Sequence, residues 1–276
     1  MLIDFQAKPY WVMGVVNITP DSFSDGGQFF HTENAVKHAL SLIEDGADIL
    51  DLGAESTRSG ALPVSVEEEL ARLLPVLTVI RQQTQIPISI DTSQPQVMQA
   101  CLEAGASMIN DVRALQLPGA TTVAQAFPNV PVCLMHMQGN PDTMQNRPAY
   151  QSVVDDVIGF LQSRIVQSSI EPSRIVLDPG FGLGFGKTLE QNIELFKAIP
   201  RLVRLGYPVL VGVSRKSMIG QITGQQQPLN RQAGSVAAAV EAVRLGAKII
   251  RVHDVRATVD AIAVTEALSP LPLIHR

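Results

Sequence analysis

Arg251 and His253 stand two residues apart where the apolar run Lys248–Val252 ends, and side chains two apart on an extended strand point to one face. A guanidinium and an imidazole then converge on one spot. Joined by Arg58 and the amide of Asn17, that spot suits an anion such as a diphosphate carrying Mg2+, because Mg2+ takes few protein ligands and readily binds phosphate oxygens. His253 alone also reads as a histidine satisfied within the fold. A second set, Asp91, Asn110, Asp178 and Lys216, follows other apolar runs. A carboxylate can accept two parallel hydrogen bonds from an amine beside a ring N–H, and such charged acceptors make strong bonds. Asn offers a donor and an acceptor, and Lys donates to a carbonyl or ring nitrogen. That set suits a flat nitrogen heterocycle. The competing reading is that the Asp residues cap helices, since Asp91-Thr92-Ser93 precedes Pro95 in the manner of a helix start.

The stretch Asp178-Pro-Gly-Phe-Gly-Leu-Gly-Phe-Gly-Lys-Thr188 imitates a phosphate loop. The P-loop pattern GxxxxGK[ST] needs a glycine five residues before Gly186; Phe181 stands there, and the match fails. Two readings remain: a flexible surface turn, or a close backbone approach to a flat ligand with Phe185 as an apolar wall. No Ser/His/Asp or Cys/His arrangement for nucleophilic catalysis stands out.

The elements that must position these residues are eight short apolar runs: Val12–Ile18, Asp48–Leu52, Pro87–Ile90, Ser107–Ile109, Val130–Met135, Arg174–Leu177, Pro208–Val213 and Lys248–Val252. Each is too short for a helix and rich in Val, Ile or Leu, as parallel strands buried on both faces are. Helical segments alternate with them. Thr32 is positioned to cap one that continues through Ala35 and Leu42. Ser65 and Glu68 have capping-box spacing ahead of the stripe Leu70, Leu73, Leu74, Leu77 and Ile80. Gly46, Gly105 and Gly246 each separate a helical run from a strand, where glycine ends helices in the left-handed conformation. Eight β-then-α units in 276 residues favour an α/β (β/α)8 TIM barrel, which takes about 250 residues, over an open doubly wound sheet. No linker or low-complexity block divides the chain, so one domain over 1–276 is expected. The segments after strands, 19–31, 53–63, 136–148 and 179–187, are long and polar or glycine-rich. In a barrel these form the C-terminal face, where the chemistry sits.

Composition narrows the classes. Hydrophobic residues are 46% and charged residues 17%, enough for a large core and against global disorder. A net charge of −5 argues against nucleic acid as the main partner. Cys101 and Cys133 lack metal-ligand spacing and read as buried thiols in a reducing compartment. The first eight residues carry Asp4 and no apolar core of a secretory leader, and no run approaches the roughly 18 apolar residues of a membrane span. A cytoplasmic protein is expected.

Asn17-Ile-Thr-Pro-Asp-Ser-Phe-Ser-Asp-Gly-Gly27, Glu55-Ser-Thr-Arg58, Ser89-Ile-Asp-Thr92, Ile109-Asn-Asp111, Met135-His-Met137, Asp178-Pro-Gly180, Ser214-Arg-Lys-Ser217 and Arg251-Val-His253, in this order, resemble the signatures of bacterial dihydropteroate synthases. The resemblance implies that Asn17 binds Mg2+ and diphosphate, with Arg58, Arg251 and His253 completing the anion site. It assigns Thr57, Asp91, Asn110, Asp178 and Lys216, with Arg251 and His253, to the pterin substrate, and Arg58, Ser59, Phe185 and Ser217 to p-aminobenzoate. Arg58, Lys216, Arg251 and His253 become the catalytic set. The family's homodimers and its inhibition by sulfonamides, which mimic p-aminobenzoate, are implied as well. Two departures stand out. The family reads STRPG where this chain has Ser56-Thr-Arg-Ser-Gly60, and a serine at position 59 frees φ and adds a backbone donor. The stretch after Asp178 is two residues longer than the common DPGFGFGK, which bears on the alignment of Phe185. Other readings of the same residues are a corrinoid-linked folate methyltransferase barrel, which needs no diphosphate site, and a non-catalytic pterin-binding protein, which could dispense with Asn17 or Lys216.

Overall fold

The structure is a computed structural model, and it describes residues 3–18, 28–55, 64–138 and 150–269. Eight strands alternate with helices: β1 (Trp11–Asn17), β2 (Ile49–Gly53), β3 (Ile88–Asp91), β4 (Met108–Asp111), β5 (Val132–Met135), β6 (Ile175–Asp178), β7 (Leu210–Val211) and β8 (Ile249–Val252). Each lies within two residues of an apolar run in the sequence. The helices are α1 (Gln28–Glu44), α2 (Val66–Gln83), α3 (Pro95–Glu103), α4 (Ala120–Ala126), α5 (Val153–Ser168), α6 (Leu189–Lys197), α7 (Ile199–Val203), α8 (Ser217–Thr223), α9 (Gln232–Arg244) and α10 (Val255–Leu268). The strands form one sheet in the order β6-β5-β4-β3-β2-β1-β8-β7, every pair parallel. A parallel bridge between Leu177 and Val209 joins the two ends, with the Leu177 amide donating to the Pro208 carbonyl at 2.9 Å. The result is the (β/α)8 barrel.

Local signals explain most boundaries. Ser65 caps α2, its side chain accepting from the Glu68 amide, while the Glu68 carboxylate turns to Arg72. Gly46, Gly105 and Gly246 adopt φ of +101°, +102° and +96°, as helix-terminating glycines do. One expectation is corrected: α1 begins at Gln28, so Thr32 lies one turn inside the helix rather than at its cap.

The barrel interior is layered by the two-residue period of its strands. Met13, Ile49, Met108, Cys133, Val176, Leu210 and Ile249 form an apolar layer, closed below by Ile3 and Phe5 from the N-terminal segment. Two residues further along the same strands come Asp51, Asn110, Met135, Asp178 and Arg251. The inward layer therefore changes from apolar to charged within one step, and the charged layer opens on the C-terminal end. Cys101 and Cys133 are buried free thiols.

Candidate active site

Arg251 reaches across the mouth from β8. Its Nε donates to Asp51 Oδ2 at 2.6 Å and its Nη2 to Asp91 Oδ2 at 2.9 Å. Asp51 is fully buried and also accepts from Asn110 Nδ2 at 3.2 Å. Strands 2, 3, 4 and 8 are thus tied by one polar cluster. A buried carboxylate keeps its charge only when paired and hydrogen-bonded, and Arg251 supplies the pairing. Burial raises the Asp91 carboxyl to about 7, with Arg251 opposing and Asp51 adding to the rise. Asp91 does not cap α3, whose start carries no side-chain cap; ahead of the helix the Thr92 hydroxyl accepts from the Gln94 amide at 3.1 Å.

Asp178 closes the other side at the end of β6. It is 7% exposed, and its Oδ1 accepts from the Gly180 amide at 2.7 Å. Burial raises its pKa, while Lys216, that amide and Arg251 pull it down. Lys216 Nζ donates to the Phe181 carbonyl at 2.6 Å and lies 4.8 Å from the centre of the Phe185 ring. Burial holds Lys216 down at about 8, with Asp178 opposing. Phe185 packs with Met135, Val112 and Met137 as an apolar wall. Ser217, beside Lys216 at the start of α8, is exposed.

The glycine-rich stretch is not a surface turn. Phe181 is fully buried and Lys187 is 2% exposed. Gly180 has φ +69°, and a Cβ there would stand 1.9 Å from the His136 carbonyl oxygen. The glycine is required by packing against the end of β5, with the protein's own backbone as the close neighbour. Lys187 Nζ then donates to the carbonyls of Gly180 (2.8 Å) and Phe185 (3.4 Å), fastening the arm inside. Burial lowers the Lys187 pKa to about 7.

His253 lies just past β8 with Nδ1 3.0 Å from Ser214 Oγ. Burial, with Arg251 and Arg215 adding to it, lowers its pKa to about 3, so the imidazole is neutral near pH 7. Asn17 ends β1 as an exposed residue. Thr57, Arg58 and Ser59 fall outside the described residues. Asp91, Asn110, Asp178, Lys216, Arg251 and Phe185 are therefore brought to one mouth. Asp178 and Arg251 lie near enough to influence each other's charge. Two participants escaped the sequence reading. Asp51 signalled itself only as a carboxylate inside an apolar run, and Lys187 entered only through the failed phosphate-loop comparison. Asp111 is internal: its oxygens accept from Ser93 Oγ (2.5 Å) and the amides of Arg113 (2.8 Å) and Leu115 (2.7 Å), shaping the turn after β4.

Comparison with known proteins supplies the family. The family model described as pterin binding enzyme matches residues 13–253. A dihydropteroate synthase of Neisseria meningitidis serogroup B is 51% identical over 263 residues, covering 93% of this chain and 92% of the relative. The structure of Xanthomonas albilineans dihydropteroate synthase with 4-aminobenzoic acid superposes with a TM-score of 0.89 at 50% identity, over 95% of this chain and 94% of that one. Another structure from that organism, in complex with 7,8-dihydropteroate, superposes with a TM-score of 0.85 at 48% identity over 95% of each chain. With its charged barrel mouth and these relatives, the chain belongs to the pterin-binding enzyme family, among the dihydropteroate synthases.

Proposed function

We propose that this chain, as one pterin-binding domain over 1–276, joins (7,8-dihydropterin-6-yl)methyl diphosphate to p-aminobenzoate, giving 7,8-dihydropteroate and diphosphate. The observation that carries this reading is the gathering of Asp91, Asn110, Asp178 and Lys216 around one barrel mouth next to Arg251. In it, Asp178 accepts from the pterin amine and ring N–H, Asn110 and Asp91 serve the neighbouring edge, and Lys216 donates to the ring, with Thr57 beside them. His253 and Arg58 face the diphosphate, with Arg251 linking the two halves. Arg58, Ser59, Ser217 and Phe185 hold p-aminobenzoate.

The aniline nitrogen is neutral near pH 7 and carries its own lone pair, so no strong base is needed. The methylene C–O bond to diphosphate breaks, the C–N bond forms, and the nitrogen's proton passes to water. Catalysis comes from positioning and from stabilising charge on the departing group. Diphosphate beside the half-buried His253 favours its protonated form, against the desolvation that keeps it neutral. Among the described residues no group of three His, Cys, Asp or Glu is arranged to hold a metal ion. Asn17, an exposed amide at the rim, is the donor we assign to Mg2+, a fit for an ion that takes most ligands from phosphate and water. When bound, that ion neutralises diphosphate charge.

The test is turnover: dihydropteroate and diphosphate must appear in equal amounts from the two substrates. Pterin binding without product would overturn the reading in favour of a binding protein. Lys216 gives it a pH signature. Its ammonium is intact below about 8 and discharges above, so KM for the pterin diphosphate is expected to rise as pH increases through that value. Lys216→Arg, whose guanidinium keeps its charge, should erase the inflection. An inflection that survives the substitution assigns it to another group. Ser59 bears on inhibition: the native enzyme is expected to bind sulfonamides more weakly than Ser59→Pro, and equal inhibition constants would remove that idea.

A homodimer suits an apolar face on α9 and α10. Ala233, Val236, Ala237 and Val240 line a groove with Ala257 and Ala261, and Val264 and Leu268 continue the α10 stripe at 58% and 82% exposure. Exposed apolar patches of this kind mark contact surfaces; sedimentation as a monomer would rule this one out. Among the described residues no helix is long and apolar enough to cross a membrane. Free thiols at Cys101 and Cys133 fit the cytoplasmic setting we assign.

A further inference from the structure

The turn between β7 and α8 carries Lys216 and leads into Ser217 at the start of α8, and its backbone is strained. Arg215 has φ +57°, a left-handed conformation uncommon for residues other than glycine. Such a conformation persists where surrounding contacts over-determine it, and it concentrates at functional sites. Three contacts do so here. The Arg215 amide donates to Ser235 Oγ at 2.8 Å, and its carbonyl accepts from Arg231 Nη1 at 2.9 Å. Its guanidinium makes a two-pronged bond to Asp254, Nε to Oδ2 at 3.0 Å and Nη2 to Oδ1 at 2.5 Å. Ser235 is itself fixed, its hydroxyl donating to the Arg231 carbonyl at 2.6 Å.

Asp254 directly follows His253. The backbone pairing of β7 with β8 ends at Val211 and Ile250, short of all the substrate residues on either arm. Beyond it the arms are tied by two side-chain rungs. In the first, Ser214 Oγ accepts from the His253 amide at 3.1 Å and faces His253 Nδ1. In the second, Arg215 grips Asp254. The Asp254 side chain is 9% exposed and that of Arg215 is 27% exposed, so the pair is shielded more than a surface ion pair, and paired prongs fix direction as well as distance.

We propose that Asp254, acting through Arg215, is a positioning residue for the reaction: it locks the arm bearing Lys216 and Ser217 at a fixed separation from the arm bearing Arg251 and His253. The proposal rests on the dihydropteroate synthase reading. The Lys216 arm holds the pterin and p-aminobenzoate, and the His253 arm faces the leaving diphosphate. Their separation therefore sets how the attacking nitrogen lines up with the breaking C–O bond. Asp254 touches no substrate in this account.

The experiment compares Asp254→Asn, which keeps shape and one acceptor but removes the charge, with the native enzyme in steady-state assays varying each substrate. A misplacement of about 1 Å can cost 100-fold in rate, so kcat is expected to fall about tenfold or more while KM for p-aminobenzoate rises severalfold. Asp254→Glu restores the charge and should recover part of both. Ser235→Ala frees the Arg215 amide from another direction and should move the same two constants the same way, which keeps the test available if Asp254→Asn folds poorly. Asp45→Asn, at the exposed Arg256 pair with 3.6 Å separation, should leave them unchanged. A fall in kcat with both KM values unchanged means fewer folded molecules and overturns the positioning role. So do constants within twofold of native in both clamp variants. A native protein that makes no dihydropteroate overturns the function reading and this proposal with it; an active native enzyme with indifferent variants overturns the clamp alone.

Discussion

Arg251→Ala is expected to abolish measurable turnover and to destabilise the fold by about 3–5 kcal/mol, the cost of removing one partner from a buried pair. Arg251 bonds to both Asp51 and Asp91, and Asp51 is fully buried. Truncation leaves two carboxylates near each other without their shared cation. The pH dependence follows. Asp91 already has a raised pKa, and Arg251 is what opposes the rise. Without Arg251 the folded state takes up a proton more avidly than the unfolded chain, so stability falls as pH increases. The variant's deficit should therefore be smaller at pH 5 than at pH 8. Arg251→Lys keeps the charge but cannot span both carboxylates with a planar fork, and is expected to regain stability more than activity. Denaturant unfolding at the two pH values, beside turnover, checks all three expectations. A stability loss under about 1 kcal/mol would contradict the assignment of Arg251 as the pairing partner of buried charge.

Asp178→Asn is expected to weaken pterin binding by about 2 kcal/mol, roughly 30-fold in Kd, the scale of a hydrogen bond to a charged group. Asparagine keeps an oxygen for the Gly180 amide, which Asp178 Oδ1 now accepts at 2.7 Å, so the arm that follows should hold its shape. What changes is the second acceptor. An amide N–H replaces it and meets the pterin's own N–H, leaving two donors face to face. Asp178→Ala removes both oxygens and should cost more, through the loosened arm as well as the lost bonds. Calorimetry with a diphosphate-free pterin isolates this half of the site. Binding unchanged in Asp178→Asn would move the pterin's donor edge to another carboxylate. The two substitutions differ in kind: at Arg251 stability and activity fall together, whereas at Asp178 affinity falls while the barrel stays intact.

The barrel strands were legible because parallel strands buried on both faces must be continuous short apolar runs, and all eight lie within two residues of such a run. The polar cluster at the strand ends was legible for a related reason: polar residues at the ends of apolar strands have few ways to be buried. The misread start of α1 shows the opposite case. Thr32 had the chemistry of a cap, yet the helix extends back to Gln28, since local capping preference is weak against the rest of the fold.

The pairings were not legible. Nothing in the spacing of Asp51 and Arg251, 200 residues apart, announces that they bond, nor that Asp254 grips Arg215. The glycine stretch failed as a phosphate loop on sequence grounds, but that Gly180 packs against the His136 carbonyl and that Lys187 fastens the arm became visible only in three dimensions. The sequence by itself determined the alternation of elements, the end of the barrel at which polar residues gather, and the residue types available there, because local periodicity and burial are properties of neighbouring residues. The tertiary structure decided which charge meets which, since closing eight strands into a ring brings together side chains whose separation along the chain carries no information about their distance in space.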